Sequence, residues 1–220
     1  MTETVDQLTG EEPRPPEPEG EDPRRHDPDD EELEGADPET LELSAETIAR
    51  RDAALAQIRK FGDPVLKTKA RRVERFDDAL ADEVRRMGEL MNDALGIGLA
   101  ATQVGVLHRV LVYRIQQQAP VIALVNPEIE WRSSEQETAE EGCLSLPSVH
   151  VDVERPVHVR VRAQDEHGEA LTVEASGLEA RAIQHEIDHL DGVLILERTS
   201  REQRREAMRE LREWQLGSAE

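Results

Sequence analysis

The 220-residue sequence predicts an α+β fold in which helices flank a block of mainly antiparallel strands. Three observations predict it. Apolar residues recur at three- and four-residue steps in the first half. Short Val-rich runs separated by turn residues fill the middle. A later stretch carries two histidines at helical spacing ahead of a glycine stop.

Order is expected to begin near Ser44, a good N-cap, because Ala45 to Lys60 places Ile48, Ala49, Leu55, Ala56 and Ile58 at broadly helical spacing. Gly62-Asp63-Pro64 then breaks the pattern. A second helix, Asp77 to Leu95, aligns Leu80, Val84, Met87, Leu90, Met91 and Ala94 on one stripe of ordinary core. Past Gly96 and Gly98, the runs Arg109 to Ile115, Val121 to Ile129, Pro156 to Ala163 and Ala170 to Ala175 read as strands, with turns such as Asp165-Glu166-His167-Gly168 between them. A third helix is predicted from about Leu178 to Asp191, closed by Gly192 in the C′ position, and a fourth from Ser200 to about Leu216.

Three regions follow: a disordered acidic, Pro-rich tail over residues 1–43, a catalytic domain over 44–199 and a C-terminal helix over 200–220. The formal charge of −22 is concentrated in the tail. Residues 1–46 hold 18 acidic against 3 basic side chains, and the remainder carries only −7. That balance argues against broad attraction to nucleic acid or anionic membrane. A single Cys excludes an internal disulfide, and the chain shows neither a basic, apolar leader nor a long apolar run. The expectation is a soluble cytoplasmic protein with no membrane partner and no sequence-specific nucleic-acid partner.

The chemistry is concentrated in His185-Glu186-Ile187-Asp188-His189. Inside a helix, two imidazoles four residues apart share one face and reach one metal ion. Glu186 is turned about 100° from His185, so its carboxylate stands beside that site as a general base without being a ligand. A catalytic metal needs a third protein ligand and an open position. Ile195, which stands where some H-E-x-x-H enzymes place a third His, cannot coordinate. Glu206 and Glu210 lie in an Arg-dense helix that offers them ordinary i,i+4 partners. Cys143, in Glu141-Gly142-Cys143-Leu144-Ser145, remains: either a buried core thiol, or a thiolate presented to the helix by a loop that Gly142 lets pass closely. A Cys-His-His set suits zinc, iron(II), cobalt or nickel.

At these residues the sequence resembles the peptide deformylase family. Gly96-Ile97-Gly98-Leu99-Ala100-Ala101-Thr102-Gln103 matches its G-x-G-x-A-A-x-Q, a weak signal alone because glycine pairs also mark plain turns or helix ends. Glu141 to Ser145 matches E-G-C-L-S, and Gln184 to His189 matches Q-H-E-x-D-H. The likeness covers roughly Ile58 to Glu197 and makes Cys143 the third ligand. It implies a central H-E-x-x-H helix surrounded by three small antiparallel sheets.

The resemblance also implies an activity: hydrolysis of the N-formyl group of N-formylmethionyl nascent peptides, with release of formate. The metal it implies is iron(II), often replaced by zinc or nickel. Gln103 and the Leu144 backbone N–H are implied as oxyanion donors, with Ile97, Gly98, Glu141, Gly142 and Leu178 around the substrate. Asp188 and Gln184 are read as supporting residues, Asp188 orienting an imidazole or making a structural pair. His150 stands where many bacterial members have Arg, which leaves a surface role or a substrate contact open. In the last helix arginines and glutamates interleave, so either a solvated face or ribosome docking fits. An H-E-x-x-H peptidase would cleave internal peptide bonds instead. A catalytically silent member should have lost Glu186 or Gln103, and both are present.

Overall fold

Ser44 opens the first helix: its hydroxyl accepts from the Thr47 N–H at 3.2 Å, and α1 runs Ala45–Leu55. The computed structural model describes residues 43–217, so the tail expected over 1–43 lies, but for its last residue, outside the described residues. Helix α1 ends short of the predicted Lys60 because the following backbone is used elsewhere. The Arg59 N–H donates to the Gln103 carbonyl at 2.7 Å and the Phe61 N–H to the Ser145 carbonyl at 2.9 Å. Helix α2, Asp78–Asp93, is capped by Asp77, whose carboxylate accepts from the Leu80 N–H at 3.2 Å. It stops where Leu95 takes a left-handed φ of 58°, so the helix ends before either glycine of the 96–98 stretch.

The strands form a mainly antiparallel α+β architecture. β1 (Gly98–Ala100), β2 (Val110–Tyr113), β3 (Ile122–Arg132), β6 (His158–Gln164) and β7 (Ala170–Ser176) make a five-stranded sheet in the order β1-β2-β3-β6-β7. β4 (Gln136–Cys143) and β5 (Leu146–Pro156) pair as a hairpin. The described residues thus hold two sheets where the resemblance implied three. The reason lies in β3, whose register shifts after Val125 and again after Ile129. Bulges bend a strand without ending it. Asn126 makes the first of them at φ 55°, and its side chain both accepts from the Val73 N–H at 2.8 Å and donates to the Val73 carbonyl at 2.9 Å. The sheet turns there and stays continuous.

Strand β2 is apolar on both faces and explains how the helices are placed. Val110 and Val112 pack with Leu80, Met87 and Met91 of α2, while Leu111 and Tyr113 face Ile183 and Ile187 of α3 (Gly177–Leu190). Period-two alternation therefore puts one helix on each side of the strand. α3 ends in a Schellman motif: the Gly192 N–H reaches the His189 carbonyl at 3.1 Å and the Val193 N–H the Asp188 carbonyl at 2.8 Å, with Gly192 at φ 75°. Beyond it, α4 (Arg201–Gly217) buries Ala207 and Leu211 against Val151 and Val153 of β5. At about 100° per residue, Arg201, Arg204, Arg205 and Arg212 fall on one side of that buried stripe and Glu202, Glu206, Glu210 and Glu213 on the other. Charges that interleave in sequence are segregated on the helix.

Candidate metal centre

Cys143 is the last residue of β4, where the hairpin register steps from Gly142 opposite His150 to Cys143 opposite Leu146. That irregularity turns the thiol toward α3. His185 and His189, one helical turn apart, present their rings to it with centroids 4.9 Å from each other. Cys143 Sγ lies 3.1 Å from His189 Nε2, and one donor atom from each of the three residues falls within a 4.8 Å span. An ion with bonds of about 2.0–2.3 Å to imidazole and thiolate requires donors gathered to that degree.

Charge has already arranged itself there. Burial disfavours the Cys143 thiolate, but the charge of His189 and hydrogen bonds from both imidazoles outweigh it and hold the thiol well below its ordinary value. His185 is held well above its own: burial opposes the charged ring, and hydrogen bonds to Cys143 and Glu141 overcome it. Its Nδ1 sits 3.0 Å from Glu141 Oε2, which fixes the ring and leaves Nε2 to face the sulfur.

Glu141 is less a wall of the site than its support. Its carboxylate is buried and accepts from Arg155 Nε at 2.6 Å, Arg155 Nη2 at 2.9 Å and Arg181 Nη1 at 2.9 Å. Burial works against this carboxylate, but Arg155 and His185 bring its pKa down to about 2. Arg155 also donates to Asp188 Oδ2 at 2.9 Å, and Asp188 accepts from Arg198 Nε at 3.0 Å. Asp188 therefore makes a structural pair and touches neither imidazole. Gln184 supports α3, donating to the Pro156 and Ala180 carbonyls at 3.0 Å.

Glu186 lies on the pocket side of α3 and is 4 % exposed. Burial pushes its carboxyl up, with the two imidazoles pulling back, and its Oε2 has no hydrogen-bond partner among the described residues. Gly98 makes room for it, since a β-carbon there would stand 2.6 Å from Glu186 Oε1. Gln103 is buried beside the sulfur; its Oε1 accepts from the Ala100 N–H at 2.8 Å, so its Nε2 is turned toward Ser145 Oγ at 3.3 Å and Cys143 Sγ at 3.8 Å.

These residues open into a cleft of about 730 Å³ bounded by α1, the 95–98 segment, the β4–β5 turn, α3 and α4. Ile97 and Leu178 line it as exposed apolar side chains, and Leu144, Gly142 and His150 form the facing wall. Gly142 fits under His150, whose ring a β-carbon would approach to 2.9 Å. Glu206, weighed as a third ligand, pairs with Arg209 at 3.1 Å on α4, and Glu210 lies on the same helix, outside the cluster of donors.

The donor set fits a divalent first-row metal: a thiolate-prone Cys, two imidazoles, one of them oriented by a carboxylate, and beside them an unpartnered buried carboxylate oxygen. Sequence reasoning passed over Arg181, Arg198, Ser145 and Lys60. Arg181 carried a signal, because it precedes His185 by one helical turn and so must share its face. Ser145 is brought in by the hairpin, Lys60 by the segment after α1, and Arg198 by the turn after α3 that folds it back onto Asp188, none of which a local pattern announces.

A profile of the family described as polypeptide deformylase matches residues 55–205. The chain is 49% identical over 142 residues to a peptide deformylase of Thermotoga neapolitana, covering 64% of this chain and 85% of that protein. To a peptide deformylase of a Parafrankia species it is 44% identical over 160 residues, covering 73% and 87%. Among solved structures it is similar to the peptide deformylase of Synechococcus elongatus in complex with actinonin, with a TM-score of 0.67, 44% identity and coverage of 70% and 85%. The Legionella pneumophila enzyme gives a TM-score of 0.70 at 37% identity, covering 74% and 96%.

Proposed function

The chain belongs to the polypeptide deformylase family, and from that premise we propose that it removes the N-formyl group from N-terminal formyl-methionine of newly made polypeptides, releasing formate, at the Cys143–His185–His189 centre. The observation that carries this reading is the convergence of those three donors beside the buried, unpartnered carboxylate of Glu186. The enzyme is a metal-dependent amide hydrolase. We take Cys143, His185 and His189 as the ligands, iron(II) as the resident ion, with zinc, nickel or cobalt accommodated by the same donors. We also take α3 as the helix around which the sheets are arranged.

When bound, the metal supplies Lewis acidity and lowers the pKa of a water toward neutrality. Glu186 takes the proton of the attacking water and returns it to the leaving amine, a double role for which a carboxyl pushed up by burial is suited. The oxyanion that develops on the formyl oxygen is met by the Gln103 amide and the Leu144 backbone N–H. Gln103 is already held, because its Oε1 is engaged by the Ala100 N–H and only Nε2 faces the centre. Ile97, Leu178 and the backbone about Gly98, Glu141 and Gly142 receive the methionine side chain and the peptide. The Glu141 carboxylate itself is engaged by Arg155, Arg181 and His185.

The substrate is met where chains emerge during translation, so we place the protein in the cytoplasm, with the ribosome as partner through α4. The segregated arginines support this: Arg204, Arg205 and Arg212 line one groove with Met208 and with Arg209, which is paired to Glu206, a face suited to phosphate. No helix of the described residues is long and apolar enough to cross a membrane. We assign residues 44–199 to catalysis and give the segment 1–43 a solvating role only.

The test is anaerobic, iron-loaded assay of formate release from a formyl-methionyl tripeptide, its acetylated analogue and a peptide with internal bonds only. Turnover of the formyl peptide alone, lost in Glu186→Ala, is expected. Cleavage of internal bonds would make the protein a peptidase instead.

A further inference from the structure

Arg59, Lys60 and Phe61, shortly past the end of α1, bind one after another to the two segments that carry the proposed oxyanion donors. The Arg59 N–H donates to the Gln103 carbonyl at 2.7 Å and the Phe61 N–H to the Ser145 carbonyl at 2.9 Å. Between them Lys60 acts through its side chain: Nζ donates to the Leu55 carbonyl at 2.8 Å and to the Leu144 carbonyl at 3.1 Å. Leu55 is the last residue of α1, so the ammonium sits at the negative end of that helix, where a cation is favoured.

The Leu144 carbonyl belongs to the same peptide unit as the Ser145 N–H, and that N–H donates to Cys143 Sγ at 3.4 Å. One rigid, planar amide therefore stands between the ammonium and the sulfur. A cation on its oxygen polarises the amide and strengthens the bond its N–H makes at the other end. The same contact fixes the position of residue 144, whose own N–H belongs to the preceding peptide. Burial holds the Lys60 pKa below its ordinary value, and the charge of Cys143 offsets only part of that.

We propose that Lys60 is a positioning residue for the reaction: through the Leu144–Ser145 peptide it holds the Cys143 sulfur as a metal ligand and sets the Leu144 N–H at the oxyanion. This inference rests on the function proposed above; the Lys60 side chain lines the cleft, but the role assigned to it here runs through the peptide it binds and not through contact with the metal. Its charge matters more than its bulk, because the effect is transmitted by polarising a carbonyl.

The experiment compares the full-length wild type with Lys60→Met and Lys60→Arg, each loaded with Co(II). The thiolate-to-cobalt absorption band and the kcat and KM for a formyl-methionyl tripeptide are measured on samples matched by circular dichroism. Lys60→Met is expected to shift the band and to lower kcat by about 10- to 100-fold, the scale found when the outer support of a metal ligand is lost, with KM little changed. Lys60→Arg restores both. Should Lys60→Met not fold, Lys60→Gln removes the charge while keeping a shorter donor, and the same band shift is expected. A folded uncharged variant with the wild-type band and kcat overturns the proposal, as does a loss confined to KM. A wild type that releases no formate refutes the proposed reaction instead, and the band comparison still decides whether Lys60 acts on the sulfur.

Discussion

Gly98 and Glu186 occupy adjoining space with no room for a methyl group between them: a β-carbon on residue 98 would lie 2.6 Å from Glu186 Oε1 and 2.9 Å from its Cγ. The glycine of G-x-G-x-A-A-x-Q does not end a helix. It lets β1 pass against the Glu186 carboxylate, to which the proposed reaction gives the proton transfer. Gly98→Ala is expected to fold, since Gly98 has no left-handed φ, and to displace Glu186. A misplacement of about 1 Å costs on the order of 100-fold in rate. Steady-state kinetics beside a melting curve checks this: kcat falls while the melting temperature moves little.

The Glu141 carboxylate is the acceptor shared by Arg155, Arg181 and His185. Glu141→Gln keeps the shape and removes the charge, leaving two guanidinium groups buried with less to balance them. Breaking a buried pair in this way costs about 3 to 5 kcal/mol. His185 also loses the charged acceptor that fixes its ring, which lowers metal affinity about 10- to 100-fold. Urea unfolding and competition with a chelator measure the two effects separately. A variant as stable and as metal-retentive as wild type would remove Glu141 from its supporting role.

The order of helices and the four Val-rich strands were legible in the sequence, because long stripes and β-branched runs are local signals. The β4–β5 hairpin was not. Gln136-Glu137-Thr138-Ala139-Glu140-Glu141 is charged and poor in β-formers, and most of it is exposed on its hairpin. β5 carried a usable pattern, with Val149, Val151 and Val153 buried in alternation, masked by the charges between them. Cys143, His185 and His189, the candidate ligands, stood out in the sequence as motifs. Their support did not, because Arg155 meets Glu141 only through the hairpin register and Lys60 reaches Leu144 only because α1 ends early.

Glu197 gives the fold a dependence on pH away from the centre. Its carboxylate accepts from the Leu194 N–H at 2.7 Å and pairs with Lys67. Burial opposes the charged form, and these contacts overcome it to hold the pKa below the ordinary value of 4.5. A carboxylate depressed in the folded state stabilises above its unfolded pKa, and the contribution is lost as pH falls through the folded one. Lys67 and Glu197 are about half and a third exposed, so the effect is small after solvent screening. Wild type is expected to exceed Glu197→Gln in urea midpoint at pH 7, and the gap should close below pH of about 4.5. A gap that does not narrow as the pH falls would contradict the assignment.

Arginines gathered on one side of α4 predict a salt-sensitive partner. Replacing Arg204, Arg205 and Arg212 by Glu is expected to abolish cosedimentation with ribosomes while leaving formate release from a tripeptide unchanged. Wild-type binding should weaken steeply with added salt, as contacts with phosphate do. Binding that survives the reversal would place any docking surface elsewhere.

The most direct test of the account is the metal content of anaerobically purified protein, wild type against Cys143→Ala, by atomic emission. Because the donor atoms of Cys143, His185 and His189 lie within a 4.8 Å span, the account predicts close to one iron per wild-type chain and almost none in the folded variant. A Cys143→Ala protein that retains the full complement of metal would contradict it.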